Sequence, residues 1–512
     1  MLLRGAPDPI AIRAQGPDAG LNPSIAHASS GTKSRSDDRP AQAILHDVHR
    51  DLIDLGPELR AVLRQLTDAG GRPIVVGGAV RDALLKVPAK DIDIECYALE
   101  YGGIADALAG MGKVDLVGAA FGVLKFCTDE LDLDISLPRR DSKVGSGHRG
   151  FDVEVDHTLT FVEASSRRDF TINAIGWDPA TGEVLDPHGG RADLARGVLR
   201  HVSDAFADDP LRVLRGVQFA GRFDMVLDPQ TADFCRSLVD DFEQLPIERV
   251  WGEWEKIASK AVRPSRSLQA LRESGWLVHF PDLAAIDGVP QDVKWHPEGP
   301  VEIHTAESMD AAAAWCGRHR IEGRARTLAV LGALVHDFGK VTHTQIHPDG
   351  RITSHGHAEA GVAPANRFLR QIGAPEDIVA RILPIVREHM CVACAPEAVT
   401  AAAVKRLSRR LSPATLEEWA TVVEADHLGR GPASHAGITD RWLDLGREAG
   451  VQHQAPKPFL KGEMLMALGL KPGPRFKEII AASNEAQDDG VIHDSESAAT
   501  WAAGYVEASD DR

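Results

Sequence analysis

"GGAVRDALLKVPAKDIDIECY", Gly77 to Tyr97, sets two glycines and an Arg-Asp pair ahead of two carboxylates one residue apart. The preceding "RPIVVGG" reads as a buried strand, "AVRDALL" as a short helix and "DIDIECYAL" as a second strand. Residues two apart on a strand leave the same face, so Asp91 and Asp93 are predicted side by side. Like charges that close repel, and two or three convergent carboxylates make a hard oxygen cage suited to Mg²⁺. A pair of such ions can activate an attacking hydroxyl and stabilise a leaving pyrophosphate. Gly77 and Gly78 would let backbone N–H groups approach phosphate, and Arg81, one turn into the helix, adds charge. Asp-x-Asp alone is usually a solvated strand edge. The strand, Gly-Gly and Arg-bearing helix in front of it give it chemistry.

Around this stretch, "GGIADALAGMG" reads as a helix, and "KVDLVG", "FGVLKFCT" and "LDLDISLP" as strands. The alternation predicts a small mixed sheet with helices on one face. In "LDLDIS" Asp132 and Asp134 share a face, and Asp134 is the candidate third carboxylate. A long helix is predicted upstream over "AILHDVHRDLIDLGPELRAVLRQLTDAGG", from Ala43 to its closing glycines. After "FTINAIGWDPATGEVLDPHGG" helical periods dominate to the end of the chain. The predicted fold class is therefore α+β: a small α/β head followed by an all-helical body.

The totals narrow the function without naming it. With 512 residues the chain can build two to four cored domains, and 43% hydrophobic with 26% charged residues is ordinary for a soluble protein. No apolar run approaches the ~18–20 residues of a membrane span. The first residues lack the apolar core of a signal peptide, and six scattered cysteines suit a reducing compartment, so a cytoplasmic protein is expected. A formal charge of −18 argues against a chain that simply coats nucleic acid, but leaves room for a local basic cleft. Residues 1–45, rich in Ala, Pro, Ser, Gly and Asp, read as a disordered extension.

Two further clusters carry charge. "RRDFTINA" supplies Arg167, Arg168 and Asp169 at a predicted helix start, and "DDPLRVLR" puts Asp209, Arg212 and Arg215 at i, i+3 and i+6, roughly one helical face. An Asp beside an Arg offers acceptors and donors in one plane, enough to read the edge of a base. "LVHDFGK" sets His336 beside Asp337, with His304 upstream in "EIHT" and Asp426 downstream in "EADHLGR"; Lys340, His355, His357 and Glu359 follow the doublet closely. His ligands lean toward a transition metal. "HMCVAC" adds a C-x-x-C at Cys391 and Cys394, with only His389 nearby, which reads as two reduced cysteines.

From "GGAVRD" and "DIDI" through "FGVLKF", "RRDFTINA", "LDPHGG" and "DDPLRVLR", the chain resembles the class II tRNA nucleotidyltransferases, the CCA-adding enzymes of the polymerase β superfamily. The resemblance implies Mg²⁺ bound by Asp91 and Asp93, and nucleotide triphosphate held by Gly78, Arg81 and Arg168. It also implies a template of Asp209, Arg212 and Arg215 that selects CTP and then ATP. Two positions depart from the family pattern: Asp208 stands where Glu is common, and Gln218 where a further Arg is common. "RRDSKVGSGHRGF", Arg139 to Phe151, fits the flexible loop that such enzymes use in switching from C to A.

His304, His336, Asp337 and Asp426 follow the ligand order of the HD phosphohydrolase domains. In one bacterial branch, to which "VPQDVKWHPEGPVEIHT" is similar, that domain is implied to hydrolyse 2′,3′-cyclic phosphates, 2′-nucleotides and phosphomonoesters with Mg²⁺, Ni²⁺ or Mn²⁺. The implied partners are the tRNA 3′ end, CTP and ATP, with no membrane, in a monomer or homodimer. The implied division is a head over 46–190, a helical neck and body over 191–290, an HD domain over 291–435 and a helical tail over 436–512. Alternatives are a poly(A) polymerase or a partial, CC- or A-adding enzyme, and an enzyme that is mainly a metal phosphohydrolase. The acidic C-terminal end and the HD order favour CCA addition.

Overall fold

The computed structural model describes residues 52–88, 91–115, 123–143, 151–394 and 399–510. The expected N-terminal extension, the start of the first predicted helix and the 144–150 stretch of the expected switching loop lie outside the described residues.

The head is a seven-stranded sheet in the order β3-β4-β5-β2-β1-β8-β9. Its strands are β1 (Arg72–Val76), β2 (Asp93–Tyr97), β3 (Lys113–Asp115), β4 (Val123–Cys127), β5 (Asp132–Ser136), β8 (Gly176–Asp178) and β9 (Glu183–Leu185). Only β2 and β5 run parallel, with Ile94 opposite Ile135, and the other pairs are antiparallel. A separate hairpin, β6 (Arg139–Lys143) with β7 (Phe151–Val155), flanks the 144–150 stretch.

Alternation along the strands sorts the head into two cores. Val75, Ile94, Cys96, Leu124, Phe126 and Ile135 pack under α1 (Gly56–Asp68), α2 (Gly78–Leu84) and α3 (Tyr101–Leu108). Ile74, Val76 and Tyr97 face the other way, onto α4 (Phe161–Ser165). The sheet is thus covered on both faces, where one was expected. Asp93 pairs with Val76 across β1–β2, so Asp93 and Glu95 lie on the α4 side. Two boundaries also shift. Helix α1 begins at Gly56, after a non-helical 52–55, because Gly56 takes φ +63° and Pro57 fixes the first turn. Strand β2 begins at Asp93, so Asp91 sits in the segment leading into it.

The body runs through α5 (Gly190–Arg196), α6 (Leu211–Phe223), α7 (Pro229–Ser237), α8 (Ile247–Lys260), α9 (Pro264–Glu273) and α10 (Pro281–Ala284). Next come α11 (Val301–His319), α12 (Gly323–Val335), α13 (Lys340–His343), α14 (His357–Gln371) and α15 (Glu376–Glu388). Then follow α16 (Cys391–Cys394), α17 (Ala401–Leu411) and α18 (Leu416–Leu428). One apolar core extends from Phe170 to Ala425, so body and HD segments are buried together across residue 290. Trp254 of α8 is 1% exposed and meets Phe280 and Phe368 edge-on at 5.2 and 5.3 Å.

The tail holds α19 (Asp440–Glu448), α20 (Gly462–Ala467), α21 (Pro474–Asp488) and α22 (Ser495–Asp510). Trp442 and Leu445 of α19 pack with α17 and α18, whereas α20–α22 bury a small core of their own. Arg409 of α17 grips Asp488 through Nε and Nη2 at 3.0–3.2 Å. No helix among the described residues is long and apolar enough to cross a membrane.

Because Trp254 joins the body to α14, Trp254→Ala is expected to cost about 3–5 kcal/mol. Thermal unfolding should show body and HD segments losing stability together; two transitions, with only one moved, would contradict a shared core.

Candidate functional site

Between the head and helices α6 and α8 lies a cavity of about 590 Å³. Seven arginines and two lysines line it against four aspartates, a local inversion of the chain's net −18. At one end, Gly77 carries the chain from β1 into α2 with φ +72° and ψ −131°, a conformation closed to side chains. A Cβ there would lie 3.1 Å from Arg168 Nη1 and 4.0 Å from Asp93 Oδ2. Glycine therefore keeps open the gap between a cation and the carboxylates.

Asp91 and Asp93 both line this end. Burial raises the Asp93 carboxyl above its usual range; Arg168 opposes the shift, and the charges of Asp134 and Asp91 add to it. A carboxylate in that position gains from a bound cation, and the all-oxygen donor set fits Mg²⁺. Asp134 stands beside Asp93 across the β2–β5 pair but outside the cavity lining. Lys125 lies 3.8 Å from it and 3.0 Å from Asp132.

Arg167 and Arg168 come from the turn after α4, not from a helix start. Both lean on the fully buried Glu95 at 3.4 and 3.8 Å, and Tyr97 donates its hydroxyl to the same carboxylate at 2.6 Å. Arg81 is 4% exposed, and its hydrogen bonds are already engaged. It donates twice to Asp82, at 2.6 and 2.8 Å, and to Asn173 Oδ1, while its guanidinium lies 4.4 Å from the Phe223 ring centre. It forms cavity wall and ties α2 to α6.

At the other end, Pro210 precedes α6, so Asp209 stands in front of the helix rather than on one face with Arg212 and Arg215. Its carboxylate accepts from Arg249 at 2.7 and 3.3 Å, and Arg212 donates to the Ala205 carbonyl. Arg215 donates to Asp169 at 2.7 and 2.8 Å. Burial alone would raise the Asp169 carboxyl, but Arg215, Asn173 and the Phe170 N–H hold it below its usual range. Gln218 is 1% exposed, lines the cavity and has an Nε2 without a hydrogen-bond partner.

The sequence reading missed Glu95, Asn173, Arg222, Arg249, Lys256 and Lys260. The last three carried a signal: their spacing of seven and then four residues puts them on one face of α8.

The second site gathers at the end of α12, whose last helical residue is Val335. His304, His336 and Asp337 form one group with metal-ligand spacing, and Asp337, His357 and His389 form another. Each imidazole is aimed by its Nδ1. His336, His357 and His389 set it against the carbonyls of Ala333, Ser354 and Val386 at 2.6–2.8 Å, and His304 against Glu298 Oε1 at 2.7 Å. That leaves every Nε2 for the centre, the arrangement that fixes a ligating histidine.

Asp337 lies between the groups, with Oδ2 at 3.2 and 3.7 Å from His336 and His304 and Oδ1 at 3.3 and 3.9 Å from His357 and His389. The His357 and His389 Nε2 atoms are 3.1 Å apart, and His336 Nε2 is buried without a hydrogen-bond partner. These convergent nitrogens and the bridging carboxylate fit divalent metal. Asp426 completes the set, 3.1 Å from His304 Nε2, with Arg430 at 3.2 Å. Burial opposes charge on Asp337, yet His336 and Lys340 hold its carboxyl well below the usual range.

Gly339 explains the glycine of "HDFGK": a Cβ there would fall 2.0 Å from the His357 carbonyl oxygen and 2.5 Å from the Gly361 nitrogen. The four predicted ligands come together, and His357, His389 and Glu298 join them. His389 faces Asp337, and Cys391 is a free thiol 3.1 Å from Glu388.

Comparison with known proteins matches three family models along the chain. Residues 74–200 match the poly A polymerase head domain, 224–287 the probable RNA- and SrmB-binding site of polymerase A, and 301–415 the HD domain. The multifunctional CCA protein of Nitrosococcus oceani is 35% identical over 368 residues, covering 70% of this chain and 84% of that one. The Xanthomonas campestris pv. campestris protein of the same name is 35% identical over 423 residues, covering 80% and 97%. In fold, the chain is similar to the Bacillus stearothermophilus CCA-adding enzyme in complex with CTP (TM-score 0.59, 22% identity, 89% and 99% covered). It is also similar to the Thermotoga maritima CCA-adding enzyme complexed with tRNA (TM-score 0.53, 20% identity, 89% and 97% covered). With a polymerase head, a helical body and an HD centre in one chain, and relatives matched along most of their length, this protein belongs to the multifunctional CCA protein family.

Proposed function

We propose that the chain is a CTP/ATP-dependent tRNA nucleotidyltransferase that adds or repairs the 3′-terminal CCA in the cytoplasm, and that its HD site is a metal-dependent phosphohydrolase. The observation that carries the first reading is the cationic cavity with Asp91 and Asp93 at one end and Asp209, Arg212 and Gln218 at the other. It offers charge neutralisation for a triphosphate and a polar edge for a base.

Asp91 and Asp93, with Asp134 as the third carboxylate, would hold Mg²⁺, which when bound would supply activation of the tRNA 3′-hydroxyl and charge neutralisation of the leaving pyrophosphate. Gly78 and Arg168 seat the triphosphate, Arg167 adds charge beside it, and Arg81 holds the wall behind it. Asp209 and Arg212 present the donor and acceptor edge that selects CTP and then ATP, with Arg215 fixed by Asp169. Gln218 offers its unused amide donor in place of a guanidinium. Catalysis in such a site is mostly positioning and electrostatic stabilisation. We assign residues 46–190 to the head, 191–290 to the nucleotide-selecting body, 291–435 to the HD domain and 436–512 to the tail.

At the HD site, His304, His336, Asp337 and Asp426 would hold a first divalent metal, with Asp337 shared toward His357 and His389. Imidazole donors favour Ni²⁺ or Mn²⁺ over Mg²⁺. A metal bound there would supply a nucleophile from water near neutral pH and polarise the phosphoryl group. Lys340 and Arg430, both lining the same cavity, face the phosphate.

Extension of a tRNA transcript lacking CCA tests the main reading. With CTP alone two residues should add, and with both nucleotides a single final A. Asp91→Ala should lower both by at least about 100-fold. Long A tracts, or no extension by folded protein, would overturn it. Glu298→Gln, which removes the charge that orients His304, separates the two activities. It should lower bound metal and 2′,3′-cyclic phosphodiesterase activity by about 10- to 100-fold, with CTP incorporation kept. Unchanged hydrolysis would contradict the metal site.

A further inference from the structure

Trp295 has no part in either activity as derived so far. Its side chain is among the largest apolar ones left in solvent among the described residues, 61% exposed. It stands at the edge of a cavity of about 510 Å³ that also contains Asp337, His357, His389 and Asp426. Such exposure gives up the favourable transfer of a large aromatic surface, so the position calls for a ligand or a partner.

The segment that carries the indole is pinned. The Asp292 carbonyl accepts from the Trp295 and His296 N–H groups at 3.0 and 2.9 Å, and its carboxylate accepts from Lys294 N at 3.0 Å and Ile352 N at 3.4 Å. Gln291 bridges the Gly299 carbonyl at 3.0 Å and Lys340 Nζ at 2.6 Å. His296 Nδ1 meets Glu298 Oε1 at 2.9 Å, the carboxylate that also orients His304. The ring is therefore tied, residue by residue, to the elements that build the metal centre. Lys294 Nζ lies 5.0 Å from its ring centre.

One cavity thus combines three features: a metal-ligand floor, two cations suited to phosphate (Lys340 and Arg430), and apolar lining from Trp295, Ile352 and Met390. A phosphoester without a base would use the first two and leave the third empty. A nucleoside phosphate uses all three.

We propose that Trp295 is the base-stacking platform of the HD site. It makes that site favour phosphoesters that carry a base, free or at an RNA 3′ end, over phosphoesters that lack one. The proposal rests on the phosphohydrolase reading of this centre and adds its specificity. Stacking tolerates any base, so selectivity is for a base as such rather than for one base.

The test uses the full chain loaded with Mn²⁺, as wild type, Trp295→Ala and Trp295→Phe. Three substrates are compared: adenosine 2′,3′-cyclic phosphate, its abasic counterpart methyl riboside 2,3-cyclic phosphate, and a short oligoribonucleotide ending in a 2′,3′-cyclic phosphate. Trp295→Ala should lower kcat/KM on base-bearing substrates by about 5- to 140-fold, mainly through KM. Turnover of the abasic analogue should be unchanged, and Trp295→Phe should recover most of the loss. A loss on only one of the two base-bearing substrates identifies that source as the ligand and sustains the platform. Equal loss on abasic and nucleoside substrates, or no loss on either, overturns it.

Calorimetric titration with adenosine 2′-phosphate keeps the two readings distinct. If wild type turns over none of the substrates, the phosphohydrolase reading fails. Binding weakened in Trp295→Ala would still sustain the platform, and unchanged binding would overturn it. Occupancy of the polymerase cavity, which Trp295 does not line, contributes equally to both proteins.

Discussion

The buried carboxylate of Asp169 is the point on which the polymerase half is assembled. It accepts from Arg215 of α6, from the Phe170 N–H at 2.7 Å and from Asn173 Nδ2 at 3.0 Å. Asn173 in turn accepts from Arg81 of α2, which donates twice to Asp82 Oδ1 and is roofed by Phe219 and Phe223 of α6. A continuous hydrogen-bonded run therefore joins body helix to head helix across the cavity wall. Taking these charges out of water is costly, and only near-complete hydrogen bonding offsets the cost. Because the Asp169 carboxyl is lowered in the folded state, its stabilisation is full above the unfolded carboxylate pKa. It is lost as pH falls through the lowered value.

The same economy of position runs through the HD centre. Two histidines are set by helix-end carbonyls, one by the Ser354 carbonyl ahead of α14 and one by Glu298, so the nitrogens converge before anything binds. Preorganisation of this kind requires close backbone approach, which is why glycine stands at 339 between the HD doublet and His357. The two sites are not independent lobes. Helix α8 supplies Lys256 and Lys260 to the nucleotide cavity and packs through Trp254 on the core that carries α14.

Much of this was legible in the sequence, and the exceptions share a cause. Period-two alternation and the Gly-Gly turn gave the β1–α2–β2 unit, and long helical periods gave the body. His304, His336, Asp337 and Asp426 were readable because the doublet and its flanks keep a fixed order along the chain. His389 was not: its chain neighbours are Cys391 and Cys394, and nothing local says that its ring turns toward Asp337. Glu298 and Arg249 were hidden likewise, since what matters is a partner on another element. Arg81 read as a phosphate ligand because its partners Asn173, Phe219 and Phe223 come from distant segments. The strand start at Asp93 and the helix start at Leu211 moved Asp91 and Asp209 off the faces that spacing assigned them, Pro210 being the local reason for the second.

The measurement that bears most directly on this account is a double-mutant cycle of Asp169→Asn and Arg215→Met, read by CTP affinity. If the buried pair builds the cavity, each single change should weaken CTP binding strongly. The double variant should then be little worse than either, with a coupling of about 1–3 kcal/mol. Losses that simply add, or a single variant that binds CTP as wild type does, would contradict the claim that this interaction assembles the nucleotide site.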